Sequence, residues 1–275
     1  MKFKMLKALF VLLLSFATLV GAQGFDHSHA DWSALLNKHV SWNSPDTPNG
    51  VASVTDYAGF KRERRSLRAY TTTLAGVKQA EYDGWTREQK HAFLINAYNA
   101  YTVDLIVEKY PNLDSIKDLG SIFRSPWSKA VYPLLGELRS LDNIEHDMLR
   151  GAADFNEPRI HFAVNCASIG CPALRPEAFV AVDLAAQLED QTLRFLKDRS
   201  RNRFEREAGE LHVSQIFDWY RDDFEQGFLG AADLQSFLAR YALSIGLTSA
   251  ERQALLDGDI DIEFTEYDWA LNDRK

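Results

Sequence analysis

Cysteine is almost absent from this chain: there are two, Cys166 and Cys171, both in one short stretch. That excludes a disulfide-dense scaffold and a four-cysteine zinc site, and their spacing is not the C-x-x-C of a redox pair. Positive charge is also scarce, with 31 Lys and Arg against 39 Asp and Glu and a net charge of -8. A nucleic-acid partner is therefore not expected, because binding phosphates needs concentrated basic charge. The basic cluster Lys61, Arg62, Arg64, Arg65 and Arg68 falls at helical spacing around Glu63 and reads as a solvated helix face. No Pro/Gly/Ser linker divides the chain after the loop 44–50, and no repeat or low-complexity segment appears, so one domain is expected. Long apolar runs are missing beyond the first twenty or so residues, so no later segment is expected to span a bilayer.

Those first residues have the pattern of an export signal. Lys2, Lys4 and Lys7 precede an apolar run over 8–20, and Val20-Gly21-Ala22 offers a small-residue cleavage site. The expectation is a signal peptide over 1–22, a mature domain over 23–275 and a periplasmic or secreted destination. No cysteine stands at the cleavage site, which argues against a bacterial lipoprotein. His27 and His29 follow closely; imidazoles suit copper or nickel, but no third ligand is evident, so neither metal nor cofactor is expected.

The strongest local signal is a helix over 87–109. Thr86 and Gln89 have the spacing of a capping box, and Tyr110-Pro111 ends the run. Its interior is apolar on nearly every side, which marks a central helix buried by its neighbours. Asn96 and Asn99 lie one turn apart on it and, if buried, must find partners. They either tie the helix to loop backbone or line a pocket. Further on, Asp142 and Glu145 predict a second capping box, leaving His146 as a histidine beside a carboxylate and a candidate acid–base group.

The stretch 159–172, RIHFAVNCASIGCP, reads as a buried strand breaking into a tight turn. Its period of two places Ile160, Phe162 and Val164 on one face and His161, Ala163 and Asn165 on the other. An extended chain would hold His161 and Cys166 about 16 Å apart at roughly 3.3 Å per residue, so a Cys166 nucleophile would need its base elsewhere, from His146 or His91. Two readings stay open: a thiolate activated by a histidine, or a Cys166–Cys171 disulfide formed in an oxidising compartment. Arg175, just downstream, is a candidate anion clamp or a surface ion pair.

Five segments together resemble the DUF547 family, a domain of unknown function found in bacteria and plants. They are 92–101 (AFLINAYNAY), 141–150 (LDNIEHDMLR), 159–172, 216–220 (IFDWY) and 267–273 (YDWALND), with a motif core over about 85–225. The family pattern includes Asn96, Asn99, Glu145, His146, His161, Cys166, Cys171 and Pro172, all present here. A more distant likeness is to papain-like and transglutaminase-like hydrolases, which would pair the Asn96–Asn99 helix with His161. This chain carries asparagine where those enzymes carry the catalytic cysteine, which puts that chemistry in doubt. The resemblance implies an α+β domain with a mixed or antiparallel sheet packed on the central helix. For function it leaves two expectations. One is a binding module whose disulfide-braced loop, with Asn96, Asn99, Glu145 and Arg175, recognises a peptide, glycan or protein ligand of the envelope. The other is a hydrolase or acyl/peptidyl transferase using Cys166 with His146 or His161.

Overall fold

The computed structural model describes residues 24–43, 52–120, 125–151 and 156–274. The segment 1–22, expected to be an export signal, and the whole of the loop 44–50 lie outside them. The first half is helical: α1 (Ala30–His39), α2 (Tyr57–Arg62), α3 (Arg64–Gly76), α4 (Gln79–Asp83) and the long α5 (Arg87–Lys109), with the short pair β1 (Val40–Trp42) and β2 (Ser53–Thr55) beside them. α5 has the expected bounds, and both halves of the Thr86/Gln89 capping box form. From His91 to Val103 every residue is buried, because α2, α3 and the segment 143–149 cover the helix on different sides.

A hairpin follows, β3 (Tyr132–Leu134) and β4 (Glu137–Arg139), turning through Leu135 and Gly136, both at positive φ. The second half comprises α6 (Leu184–Lys197), β5 (Arg203–Glu205), β6 (Glu210–Ser214), α7 (Ile216–Trp219), α8 (Arg221–Phe224), α9 (Leu234–Arg240), α10 (Ala242–Ile245), α11 (Ser249–Asp257) and β7 (Asp261–Thr265). In its sheet β5 and β6 run antiparallel and β6 and β7 parallel, with Leu211 opposite Ile262. The class is therefore α+β, as expected. Among the described residues, however, the strands divide among three small sheets, and α5 is wrapped by helices rather than laid on one sheet.

Two apolar clusters fill the interior, one around α1 to α5 and one around α6 to α11. They meet at residues 158–163, the stretch expected to be a strand. Pro158–Phe162 is instead a turn of 3-10 helix. Proline supplies a helical φ without needing a hydrogen-bond partner, and the Glu157 side chain caps Arg159 N. Ile160 and Ala163 enter the first cluster and Phe162 the second. The alternation that suggested two faces of a strand is the junction between two cores. Because the chain coils here, the 16 Å separation of His161 and Cys166 argued from extended geometry does not apply.

Candidate functional site

α5 organises the site through its two asparagines. Asn99 donates to Ala163 O at 3.0 Å and accepts from Asn165 N at 2.8 Å, offering the loop backbone the pair of bonds a neighbouring strand would offer. Asn96 does the same for Phe179, at 2.7 and 3.0 Å. Both amides are buried and fully engaged, so they hold the walls of the site and do not line it. Asn165 continues the bracing: its side chain accepts from Ala167 N at 2.9 Å and donates to Pro172 O at 2.6 Å. That holds Ala167 at φ 70, a conformation a residue with a Cβ adopts only under constraint.

Cys166 and Cys171 are joined in a disulfide, with Cα atoms 6.1 Å apart. The bridge closes the loop that Asn165 has bent. Against it lies the chain end, 267–273, whose backbone pairs with Ala167, Ile169 and Gly170. The Tyr267 hydroxyl sits 3.2 Å from Cys166 Sγ and 3.1 Å from Cys171 Sγ, and accepts from Ser168 Oγ at 3.0 Å. Burial pushes its pKa up to about 12, so it stays a neutral donor. Gly170 permits this approach: a Cβ there would stand 2.9 Å from Asp268 O and from the Tyr267 ring.

The disulfide forms one wall of a cleft of about 860 Å³. Its other walls are aromatic. Trp219, 45 % exposed, packs on Tyr267 at 4.8 Å and Trp269 at 5.7 Å between ring centroids and forms the rim; Trp127, Tyr98 and Tyr220 lie deeper. At the bottom is Glu145, 7 % exposed, accepting from the Tyr220 hydroxyl at 2.8 Å and bonded to Tyr98. The expected Asp142/Glu145 capping box does not form. Ser140 Oγ caps Asn143 N instead, and Asn143–Leu149 is wound as a π-helix, with Arg150 N bonding back to Glu145 O. This wider coil carries Glu145 away from its own backbone and into the cleft; such turns recur at functional sites. Asp142, half-buried, lines the same cleft, and burial raises its pKa.

A second polar network underlies the aromatic wall. His161 Nε2 lies 2.6 Å from Asp223 Oδ2, and its ring stacks on Tyr220 at 4.0 Å. Arg150 grips the same carboxylate through Nε at 2.6 Å and Nη2 at 3.1 Å, and reaches His146 Nδ1 with Nη1 at 3.0 Å. Since arginine only donates, His146 accepts at Nδ1 and carries its proton at Nε2. Burial works against ionising Asp223, but the bonds from His161 and Arg150 win and hold its pKa far below the usual carboxylate range. Burial lowers the pKa of His161 more than Asp223 raises it, so His161 is neutral at pH 7 and donates its Nε2 proton.

Of the residues singled out in the sequence, the cleft brings together Glu145, His146, His161, Cys166 and Cys171. Arg175 lies apart, paired with Glu177 and Asp190. His91 sits near the start of α5 and does not line the cleft. Asp223, Arg150, Tyr220 and the aromatic rim were not anticipated as site residues. The runs 216–220 and 267–273 were conspicuous, but aromatic residues read first as core; only the fold turns them outward. Among the described residues no group of three or more His, Cys, Asp or Glu is arranged to hold a metal ion, and no helix is long and apolar enough to cross a membrane.

No curated protein and no solved structure matches the chain. The family comparison does: residues 82–196, which hold α5, the π-helix, the disulfide loop and most of α6, match the family described as "Protein of unknown function, DUF547".

Proposed function

We propose that the protein is an exported binding module whose cleft receives a peptide or glycan. One observation carries this reading: aromatic rings wall a cleft of about 860 Å³ that ends on carboxylates and is braced by a covalent loop. Stacked rings bind the flat faces of sugars or the apolar parts of peptide side chains at little entropic cost, and buried polar groups beneath them select orientation. The Cys166–Cys171 bridge supports an oxidising destination, periplasmic or secreted. It also occupies the sulfur that a thiol nucleophile would need.

The test is tryptophan fluorescence of the purified protein titrated with a pool of short peptides and a pool of envelope oligosaccharides. Saturable quenching by one pool, weakened about tenfold or more in Trp219→Ala, is the expected result, in line with the weight of aromatic anchors in interfaces. No response from either pool would remove the reading.

A second reading is favoured by the placement of Cys166, His146 and His161 on one cleft. A dithiol reductant would convert the bridge to two thiols, itself becoming a disulfide, and free Cys166 for a hydrolase or acyl-transfer role. Labelling of Cys166 by an electrophile only after reduction, and lost in His161→Ala, is what that reading requires.

A further inference from the structure

We infer that the occupant of the cleft is the side chain of a lysine in a peptide, with its methylene stem between the aromatic walls and its ammonium at Glu145 and Asp142. The inference rests on the binding reading above and names the ligand chemistry. Charge and burial vary together with depth. The rim carries exposed Trp219 and half-buried Trp269, with Lys117 over the latter as its one cation among the described lining residues, while Glu145 is buried. A ligand that is apolar along its length and cationic at its tip matches that gradient. A lysine side chain, a compact charge on a flexible four-carbon stem, has this form.

The two carboxylates differ in how well they are satisfied. Glu145 is held by the hydroxyls of Tyr220 and Tyr98, which fix its position without neutralising it. Asp142, one turn earlier, is half-buried in the same cleft; burial and the neighbouring Glu145 disfavour its charge, and the nearby His146, which favours it, does not outweigh them. An arriving ammonium would relieve both penalties, donating hydrogen bonds and separating two like charges.

The cations already nearby do not fill this place. Arg150 is committed to Asp223 and His146 and packs on the Tyr220 ring at 4.8 Å. Lys117 lies over the Trp269 ring at 4.6 Å, on the rim side. It would donate to backbone carbonyls of a peptide laid along the rim. Its position disfavours a ligand whose positive charge stays outside, so the cation must lead into the cleft.

The experiment is calorimetric titration of the intact oxidised protein with end-blocked tri-lysine, with its Nε-acetylated counterpart, and with a glucosamine tetramer as a cationic glycan. Expected is saturable binding of tri-lysine, weakened about tenfold or more by acetylation, the size of one lost charge-assisted contact. Asp142→Asn should erase most of that preference while leaving the melting temperature near wild type; Glu145→Gln should do the same if it folds. Equal binding of the acetylated peptide would overturn the ammonium assignment and leave the cleft reading standing. Binding of the glucosamine tetramer in place of tri-lysine would overturn the peptide assignment. Silence from all three probes overturns the inference, and the pooled titration above then decides the wider reading separately.

Discussion

At the scale of single residues, the strongest constraints come from amides that never touch the cleft. Asn99 satisfies one acceptor and one donor on the loop that carries His161 and Cys166. Asn99→Ala would orphan both groups in a buried place, at about 1–3 kcal/mol each. We expect a loss of roughly 2–4 kcal/mol in urea unfolding, with the denaturant slope unchanged. A loss under about 0.5 kcal/mol would mean that other groups replace the amide, the usual outcome at unconstrained positions. That Asn96 and Asn99 would be buried on one helix face was legible from the run around them. Which backbone they hold was not, because the partners lie 64 to 83 residues away in the chain.

At the scale of elements, α5 and the 3-10 turn at 158–162 mark the two extremes of legibility. α5 has capping residues, length and a terminating proline, all local signals, and Thr86→Ala should cost about 1 kcal/mol by thermal or chemical unfolding. The 3-10 turn has an alternating apolar pattern that a strand would share, and what decides against the strand is Pro158 together with the hydrogen bonds of Asn99. The disulfide loop is an element of the same kind, with conformation set by distant partners. Opening it in a Cys166→Ser/Cys171→Ser variant should cost about 2 kcal/mol through loop entropy and weaken ligand binding. Alkylation mass shifts should appear in the wild type only after reduction. Gly170→Ala should leave the bridge intact yet lift the tail 267–273, since the added methyl meets Asp268 O and the Tyr267 ring. Faster amide exchange at residues 169, 170 and 272 would report it; unchanged protection there would contradict the role given to Gly170.

Across the whole molecule, burial of neutral histidines sets the response to acid. His29 and His91 are held near about 4 and about 3 by burial, and His161 is lowered for the same reason. An unfolded chain takes up these protons near pH 6.5, whereas the folded chain does not. The contribution is therefore full above that pH and is lost as pH falls toward 4, with a slope approaching about 1.4 kcal/mol per pH unit for each histidine. Asp223 acts lower down: its folded pKa is below its unfolded one, so its contribution holds above about pH 4 and disappears as pH falls further. Melting temperatures measured from pH 7 to 4 should fall steadily, and His29→Gln should flatten the curve. A flat profile in the wild type would contradict the burial of these rings as neutral species.

What this sequence determined by itself is whatever rests on neighbours a few residues apart: the capped central helix, the α+β class, and the motifs over which residues 82–196 match the DUF547 family. The charge balance and the shortage of cysteine also belonged to the sequence, because counting needs no fold. Only the tertiary structure decided that Glu145 leaves its own helix cap for Tyr220, that His161 and Arg150 both bond to Asp223, and that the tail 267–273 closes the cleft over the disulfide. Each of those is a bond between residues 62 to more than 100 positions apart, or one that exists because such a bond has formed. A side chain's partner in a folded protein is chosen by competition among all groups that burial brings together, and no local pattern ranks that competition.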